Sequence, residues 1–90
     1  MEYIEECKVV IEELHAEFDS HEFIRSFIKK FHVEYGIIII MSKSVTSAHS
    51  KIAKYLKEHR NELRIEILPG KVKSDTIFGK YNYCCKWKKL

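Results

Sequence analysis

The sequence predicts an α+β fold, mainly α, in which a three-helix core is followed by a C-terminal β-hairpin. Apolar residues recur at steps of three and four in three segments, about 3–18, 20–35 or longer, and 45–61, and this is the spacing of one helix face. Apolar and charged residues then alternate in a stretch near 64–73, which predicts two short strands.

Length and composition limit the class of protein. With 90 residues, the chain is expected to form one domain over 1–90, because two domains would each be too small to hold a core. Apolar residues make up 46% and charged residues 32%, which is typical of a globular chain and not of a disordered one. No apolar stretch is long enough to span a bilayer, and the acidic N-terminus does not resemble a signal peptide. Three cysteines, an odd number without a secretory signal, do not suggest a disulfide framework, and reduced thiols fit the cytoplasmic protein that we expect.

The first predicted helix, residues 3–18, is amphipathic and acidic. Its apolar stripe consists of Ile4, Cys7, Val10, Ile11, Leu14 and Phe18. Glutamates cover the remaining surface and suit the positive N-terminal end of the helix dipole. Burial among apolar and acidic neighbours is expected to raise the pKa of Cys7 and to make its thiol a poor nucleophile.

The second predicted helix has a clear start. Asp19 can cap it, and Glu22, three residues later, can complete a capping box. Phe18 and Phe23 flank the cap at the positions of a hydrophobic staple. Aromatic residues then follow every four residues, which indicates core packing: Phe23, Phe27, Phe31 and Tyr35.

The apolar run 37–41 has two interpretations. Four successive isoleucines after Gly36 favour a buried strand, which would add a third strand to a small antiparallel sheet. Ile38 and Ile39 also continue the stripe of the second helix, and a short apolar run does not distinguish the two.

The third predicted helix has Ser42, Ser44 or Thr46 as its cap. Its buried stripe consists of Val45, Ala48, Ile52, Leu56 and Leu63, with Tyr55 at the edge. Beyond it, Pro69-Gly70 predicts the turn of the hairpin, with Ile65, Ile67 and Val72 facing inward and lysines facing outward. Residues 74–79 predict a further turn.

Catalytic and metal-binding patterns are missing from the sequence. The neighbours Asp19, Ser20 and His21 cannot form a catalytic triad, because consecutive side chains do not reach one another in the required order. The histidines and the three cysteines lack the paired spacing of zinc ligands. We therefore expect a non-enzymatic protein without a metal or another cofactor, in which His49 is a boundary residue bonded to the backbone.

Charge is divided along the chain. Residues 1–22 hold eight acids and one base, whereas residues 23–90 hold fifteen bases and five acids. This asymmetry indicates either contact with a polyanion or an acidic element packed beside a basic one.

The basic third helix leads to the first functional hypothesis, a nucleic-acid-binding module with DNA as the expected ligand. Short polar and long basic side chains on one exposed helix face suit a major groove, and a lysine-bearing hairpin can lie over the backbone as in a winged-helix domain. The candidate residues are Ser47, Ser50, Lys51, Lys54, Lys57, Lys71 and Lys73. Lysines in place of arginines predict weak sequence selectivity. The alternative is that these lysines form an ordinary solvated face.

A second hypothesis is a protein-interaction or self-associating module, such as a homodimer, because an acidic helix beside a basic body suits complementary partners. The aromatic and basic tail, residues 80–89, leaves a further choice open. It can stack unpaired bases, or it can fold back so that Trp87 and Phe78 close the core, and the small size of the chain favours the core.

Overall fold

Five helices and three strands make up the fold in the computed structural model, which describes residues 2–76, 79 and 81–90. The predicted α+β, mainly α class is confirmed. In chain order, the elements are α1 (Ile4–Glu13), β1 (Glu17–Asp19), α2 (Ser20–Lys30), α3 (His32–Ser42), α4 (Val45–Glu58), α5 (Arg60–Leu63), β2 (Ile65–Asp75) and β3 (Tyr81–Lys89).

The strands form one antiparallel sheet in the order β1-β3-β2. Trp87, on the central strand, pairs with Phe18 of β1 on one side and with Ile67 of β2 on the other. The third strand is therefore β1, and the prediction that 37–41 supplies it is wrong because that run is part of α3.

The core lies between the helices and the sheet. Its largest fully buried side chains are Trp87, Phe18, Phe23, Phe27, Ile52 and Leu56. Burial of Trp87 confirms that the tail folds back onto the core, whereas Phe78, its expected companion, lies outside the described residues. No helix in the described part of the chain is both long and apolar enough to cross a membrane.

The first helix ends earlier than predicted, at Glu13 and not at residue 18. Phe18 is buried as its place in the stripe suggested, but it lies in β1. The cause is distant in sequence: the backbone N–H of Lys89 donates to Ala16 O, and its ammonium donates to the carbonyls of Glu12 and Leu14. Pairing with β3 therefore ends the helix and provides partners for its last carbonyls.

The second helix begins as predicted, with both hydrogen bonds of the Asp19–Glu22 capping box. It breaks at Phe31, so the predicted continuous helix over 20–35 is wrong. A straight helix over residues 20–42 would be about 34 Å long, and the longest extent of the fold is 31 Å. The break lets α3 turn back, so that Ile38 reaches the core.

The third predicted helix forms α4, with Ser44 as the cap through its side-chain bond to the N–H of Ser47. The helix ends at Glu58, three residues before the predicted end, and the short α5 carries Leu63 into the core.

The hairpin is longer than predicted, because Pro69-Gly70 is not its turn. These residues lie within β2, where the pairing shifts between Ile67–Trp87 and Lys71–Cys85. Gly70 has a φ of +77°, which suits the bulge because glycine adopts positive φ without a side-chain clash. The chain reverses after Asp75, the last residue paired with β3. Ile67 is 43% exposed, so the prediction that it faces inward is wrong.

Candidate nucleic-acid interface

A groove runs between α4 and the β2–β3 hairpin, with the start of α2 at its base. It encloses a cavity of about 580 Å³. A second, more open cavity of about 550 Å³ lies beside the Pro69-Gly70 bulge, and it shares Lys57, Lys71 and Cys85 with the first. Lysines from a helix and from a strand thus converge on one continuous depression.

One row of α4 faces the groove. The row follows helical spacing, so that its members lie on one side of the helix: Thr46, His49, Ser50, Ala53 and Lys57. It is adjacent to the buried stripe of Ala48, Ile52 and Leu56, and packing of that stripe against the core orients the row toward the hairpin.

The structure divides the predicted nucleic-acid residues between the groove and the neighbouring surface. All seven side chains are exposed. Ser50, Lys57 and Lys71 line the groove. The others, which do not line it, are Ser47, Lys51, Lys54 and Lys73. The seven candidate residues therefore do not all line one groove: three of them line it, and four lie on the surface outside it.

Acidic side chains do not cancel the charge of the groove. Among its described lining residues there is no aspartate or glutamate. Of the five candidate lysines, Lys54 alone forms an ion pair within the described part of the chain, with Glu58 at 3.8 Å.

The acidic N-terminal segment pairs elsewhere. Its ion pairs join Glu5 to Lys8, Glu13 to Lys30, and Glu17 to Lys86. The acidic segment thus pairs through α1 with lysines of α1 and α2, and through β1 with a lysine of β3. The lysines of the groove have no carboxylate partner among the described residues.

His49 adds no fixed charge to the groove. Its Nε2 lies 2.7 Å from the hydroxyl oxygen of Tyr35. Burial lowers the pKa of His49, and the nearby His21 lowers it further. Burial also raises the pKa of Tyr35, so its hydroxyl keeps its proton and can donate to a neutral imidazole. Lysines alone therefore supply the permanent positive charge of the described lining.

Several lining residues were not among the sequence candidates. His21, Asn82, Tyr83 and Cys84 come from α2 and β3, far in sequence from α4. Tyr83 is 64% exposed, which leaves its ring accessible to a flat ligand. The aromatic and basic tail, residues 80–89, contains a signal for it, because aromatic rings among lysines can stack unpaired bases.

Cys7 is fully buried in the core, which indicates a structural role for its thiol. Burial raises the pKa of Cys7 to about 12, with a smaller contribution from Glu6, as the sequence predicted in direction. All three cysteines carry free thiols, with Cys84 buried and Cys85 partly exposed.

Chemically, the groove combines two ammonium groups, hydroxyl and amide donors, and an accessible aromatic ring, and these groups suit a phosphorylated ligand with flat bases. Comparison of the chain with protein-family models, with curated proteins and with solved structures finds no match.

Proposed function

We propose that this chain is a small, non-enzymatic DNA-binding module of the cytoplasm, with a winged-helix-like division of labour between α4 and the hairpin. The observation that carries the proposal is the convergence of Lys57 and Lys71 on a groove whose described lining contains no carboxylate. A duplex phosphate backbone is the abundant ligand that matches such a surface.

In this proposal α4 contacts the major groove with its exposed side. Ser47 and Ser50 are short enough for the helix to approach the base edges, and Lys51 and Lys54 extend from its outer side. Lys57, Lys71 and Lys73 then bind phosphates along the hairpin. Phosphate contacts position the protein without reading the sequence, so selectivity is expected to be weak.

The test is a fluorescence anisotropy titration with a labelled DNA duplex at low and moderate salt. We expect saturable binding that weakens steeply as salt rises, since bound lysines release counterions. The double variant Lys57→Ala/Lys71→Ala should lower affinity about tenfold or more and flatten the salt dependence by roughly one counterion per lysine. The pair Lys51→Ala/Lys54→Ala tests the outer side of α4 in the same way.

The matched control is Lys8→Ala/Lys29→Ala, which removes the same charge from exposed positions on α1 and α2. If the control weakens binding as much as the groove variant, the attraction depends on net charge and the groove is not the site. Absence of binding at low salt contradicts the proposal outright. Labelled single-stranded DNA and RNA of equal length show whether the duplex is the preferred ligand.

A second candidate function, self-association, is favoured by the exposed face of α3. Its exposed apolar residues are Val33, Ile37, Ile40 and Met41, of which Ile40 is 77% exposed. Helical spacing places them on one side, and apolar surface of this kind marks interaction sites. Light scattering should then show a dimer that Ile40→Glu dissociates, whereas a monomer at all concentrations contradicts this candidate.

A further inference from the structure

Three side chains with metal-binding atoms meet beside the groove: His21 and Cys84 line it, and the buried Asp19 does not. The ligand atoms of Asp19, His21 and Cys84 all lie within 4.8 Å of one another. Asp19 and Cys84 are buried, with 7% and 9% exposure, and His21 is partly buried. We propose that these three residues form a binding site for one Zn²⁺ ion, independently of whether the groove binds nucleic acid.

The backbone around the three residues is held in place by other contacts. Ser20, between Asp19 and His21, accepts a hydrogen bond from the indole of Trp87 at 3.1 Å and donates to the carbonyl of Cys85 at 3.4 Å. These bonds attach the start of α2 to β3 next to the candidate ligands. The backbone that carries the ligands is thus held in place before a metal binds, which reduces the cost of ordering the site.

The donor set indicates the metal. One carboxylate, one imidazole and one thiolate suit Zn²⁺, which accepts oxygen, nitrogen and sulfur ligands, whereas Mg²⁺ and Ca²⁺ prefer oxygen alone. Around tetrahedral zinc, bonds of about 2.0 to 2.3 Å place ligand atoms roughly 3.3 to 3.7 Å apart. The present ligand atoms, within 4.8 Å of one another, are therefore at most roughly 1.5 Å farther apart than in a bound site.

The present hydrogen bonds of the three residues are compatible with this change. The cap uses Oδ1 of Asp19, which leaves the second carboxylate oxygen for the metal. Ser74 Oγ lies 2.8 Å from His21 Nδ1 and 3.7 Å from Cys84 Sγ, so a hydroxyl bridges the two other ligands. When zinc binds, the thiol proton of Cys84 passes to solvent, and the Ser74 hydroxyl can donate to the resulting thiolate.

The position of the site leaves room for a further ligand. His21 and Cys84 line the 580 Å³ cavity, while Asp19 lies behind them. Three protein ligands with an open fourth position are typical of zinc that holds a water molecule or an exogenous group. An ion here would also add positive charge to the base of the groove.

The test uses the full chain, reduced and freed of metal, titrated with Co²⁺ as a spectroscopic probe for zinc. We expect one Co²⁺ per chain, with a thiolate-to-cobalt charge-transfer band in the near ultraviolet and the strong visible absorption of a tetrahedral site. Zn²⁺ should then displace Co²⁺ and abolish both. A chain that shows no charge-transfer band and does not retain Zn²⁺ against a weak chelator would overturn the proposal.

Matched variants locate the site. Cys84→Ser should abolish the charge-transfer band, and His21→Gln should weaken Co²⁺ binding at least tenfold while keeping the band at high metal concentration. Cys85→Ser, which changes the adjacent thiol, and His32→Gln, which changes an exposed histidine of α3, should bind Co²⁺ as the unmodified chain does. Circular dichroism of each variant confirms folding. A band that persists in Cys84→Ser, or that Cys85→Ser removes, shows that cobalt binds another thiol.

Discussion

The hydrogen bond between Trp87 and Ser20 is expected to be a strong link between the sheet and α2, and a double-mutant cycle can measure it. The indole Nε1 donates to Ser20 Oγ at 3.1 Å, and both residues are buried, with 0% and 4% exposure. Ser20→Ala leaves the indole N–H without this acceptor in a site with little access to water. The expected cost is about 1 to 3 kcal/mol, which is the penalty for an unsatisfied buried donor.

The Trp87→Phe background removes that penalty, because phenylalanine has no N–H to satisfy. The loss of the bond from Ser20 to Cys85 O and any change in helix propensity occur in both backgrounds, so they cancel in the cycle. Ser20→Ala should therefore cost less in the Trp87→Phe protein by roughly 1 to 2 kcal/mol. For a domain of this size, each 1 kcal/mol corresponds to a shift of about 4 to 8 °C in Tm.

Urea unfolding of the four proteins, followed by far-ultraviolet circular dichroism, gives the coupling energy directly. Circular dichroism is needed because Trp87 is the only tryptophan of the chain and half of the cycle lacks it. If Ser20→Ala costs the same in both backgrounds to within about 0.5 kcal/mol, the two mutations are additive and the bond does not contribute to stability.

Three other predictions concern stability. Ser42→Ala should raise the free energy of unfolding by about 0.5 to 1 kcal/mol in urea titrations, because the buried Ser42 hydroxyl has no hydrogen-bond partner among the residues that the structure describes and alanine favours a helix; a loss of stability contradicts this. Lys89→Met should lower the Tm, at a cost of about 1 kcal/mol, because the ammonium caps two carbonyls at the end of α1, whereas the exposed neighbour in Lys88→Met should have little effect. Because the pKa of His49 is lowered in the fold, its protonation favours the unfolded chain, and stability should fall as pH drops below about 6.5. His49→Gln should show a smaller fall in Tm between about pH 7 and pH 5 in metal-free buffer, and an unchanged pH dependence refutes the assignment.

The sequence predicts a helix correctly where residues close together in the chain determine it. The capping box at Asp19 and Glu22 involves residues three apart, and it forms as expected. The stripe of α4 is also local, and its helix begins near the predicted residue. The end of α1 was missed because its cause is Lys89, more than seventy residues later in the chain. No window of sequence around residue 14 contains that information.

The run 37–41 shows a different limit. Its isoleucines suit a buried strand by propensity, yet α3 is a helix that buries Ile38 and exposes Ile37 and Ile40. Strand propensity reflects how well a side chain packs on a half-buried sheet, so it matters only where a sheet offers a free neighbouring position. Both neighbouring positions of the central strand β3 are already taken, by β1 on one side and by β2 on the other. The sheet has its three strands without this run, so tertiary context decides the conformation.

The candidate groove was only partly predictable, because two geometric facts decide which lysines act together. The phase of α4 places Lys57 beside the hairpin and leaves Lys51 and Lys54 outside the groove. The bulge at Pro69-Gly70 then decides the placement of Lys71: in a regular strand, a shift of one residue exchanges the two faces of the sheet. The sequence identifies the lysines as candidates by their charge, and it predicts α4 from apolar residues at steps of three and four. The register shift that pairs Lys71 with Cys85 depends on long-range pairing with β3. A different pairing, that of β1 with β3, places Asp19 opposite Lys86 and brings Cys84 to Asp19 and His21. The proposed metal site and the basic groove therefore both depend on the central strand β3, through its two different neighbours.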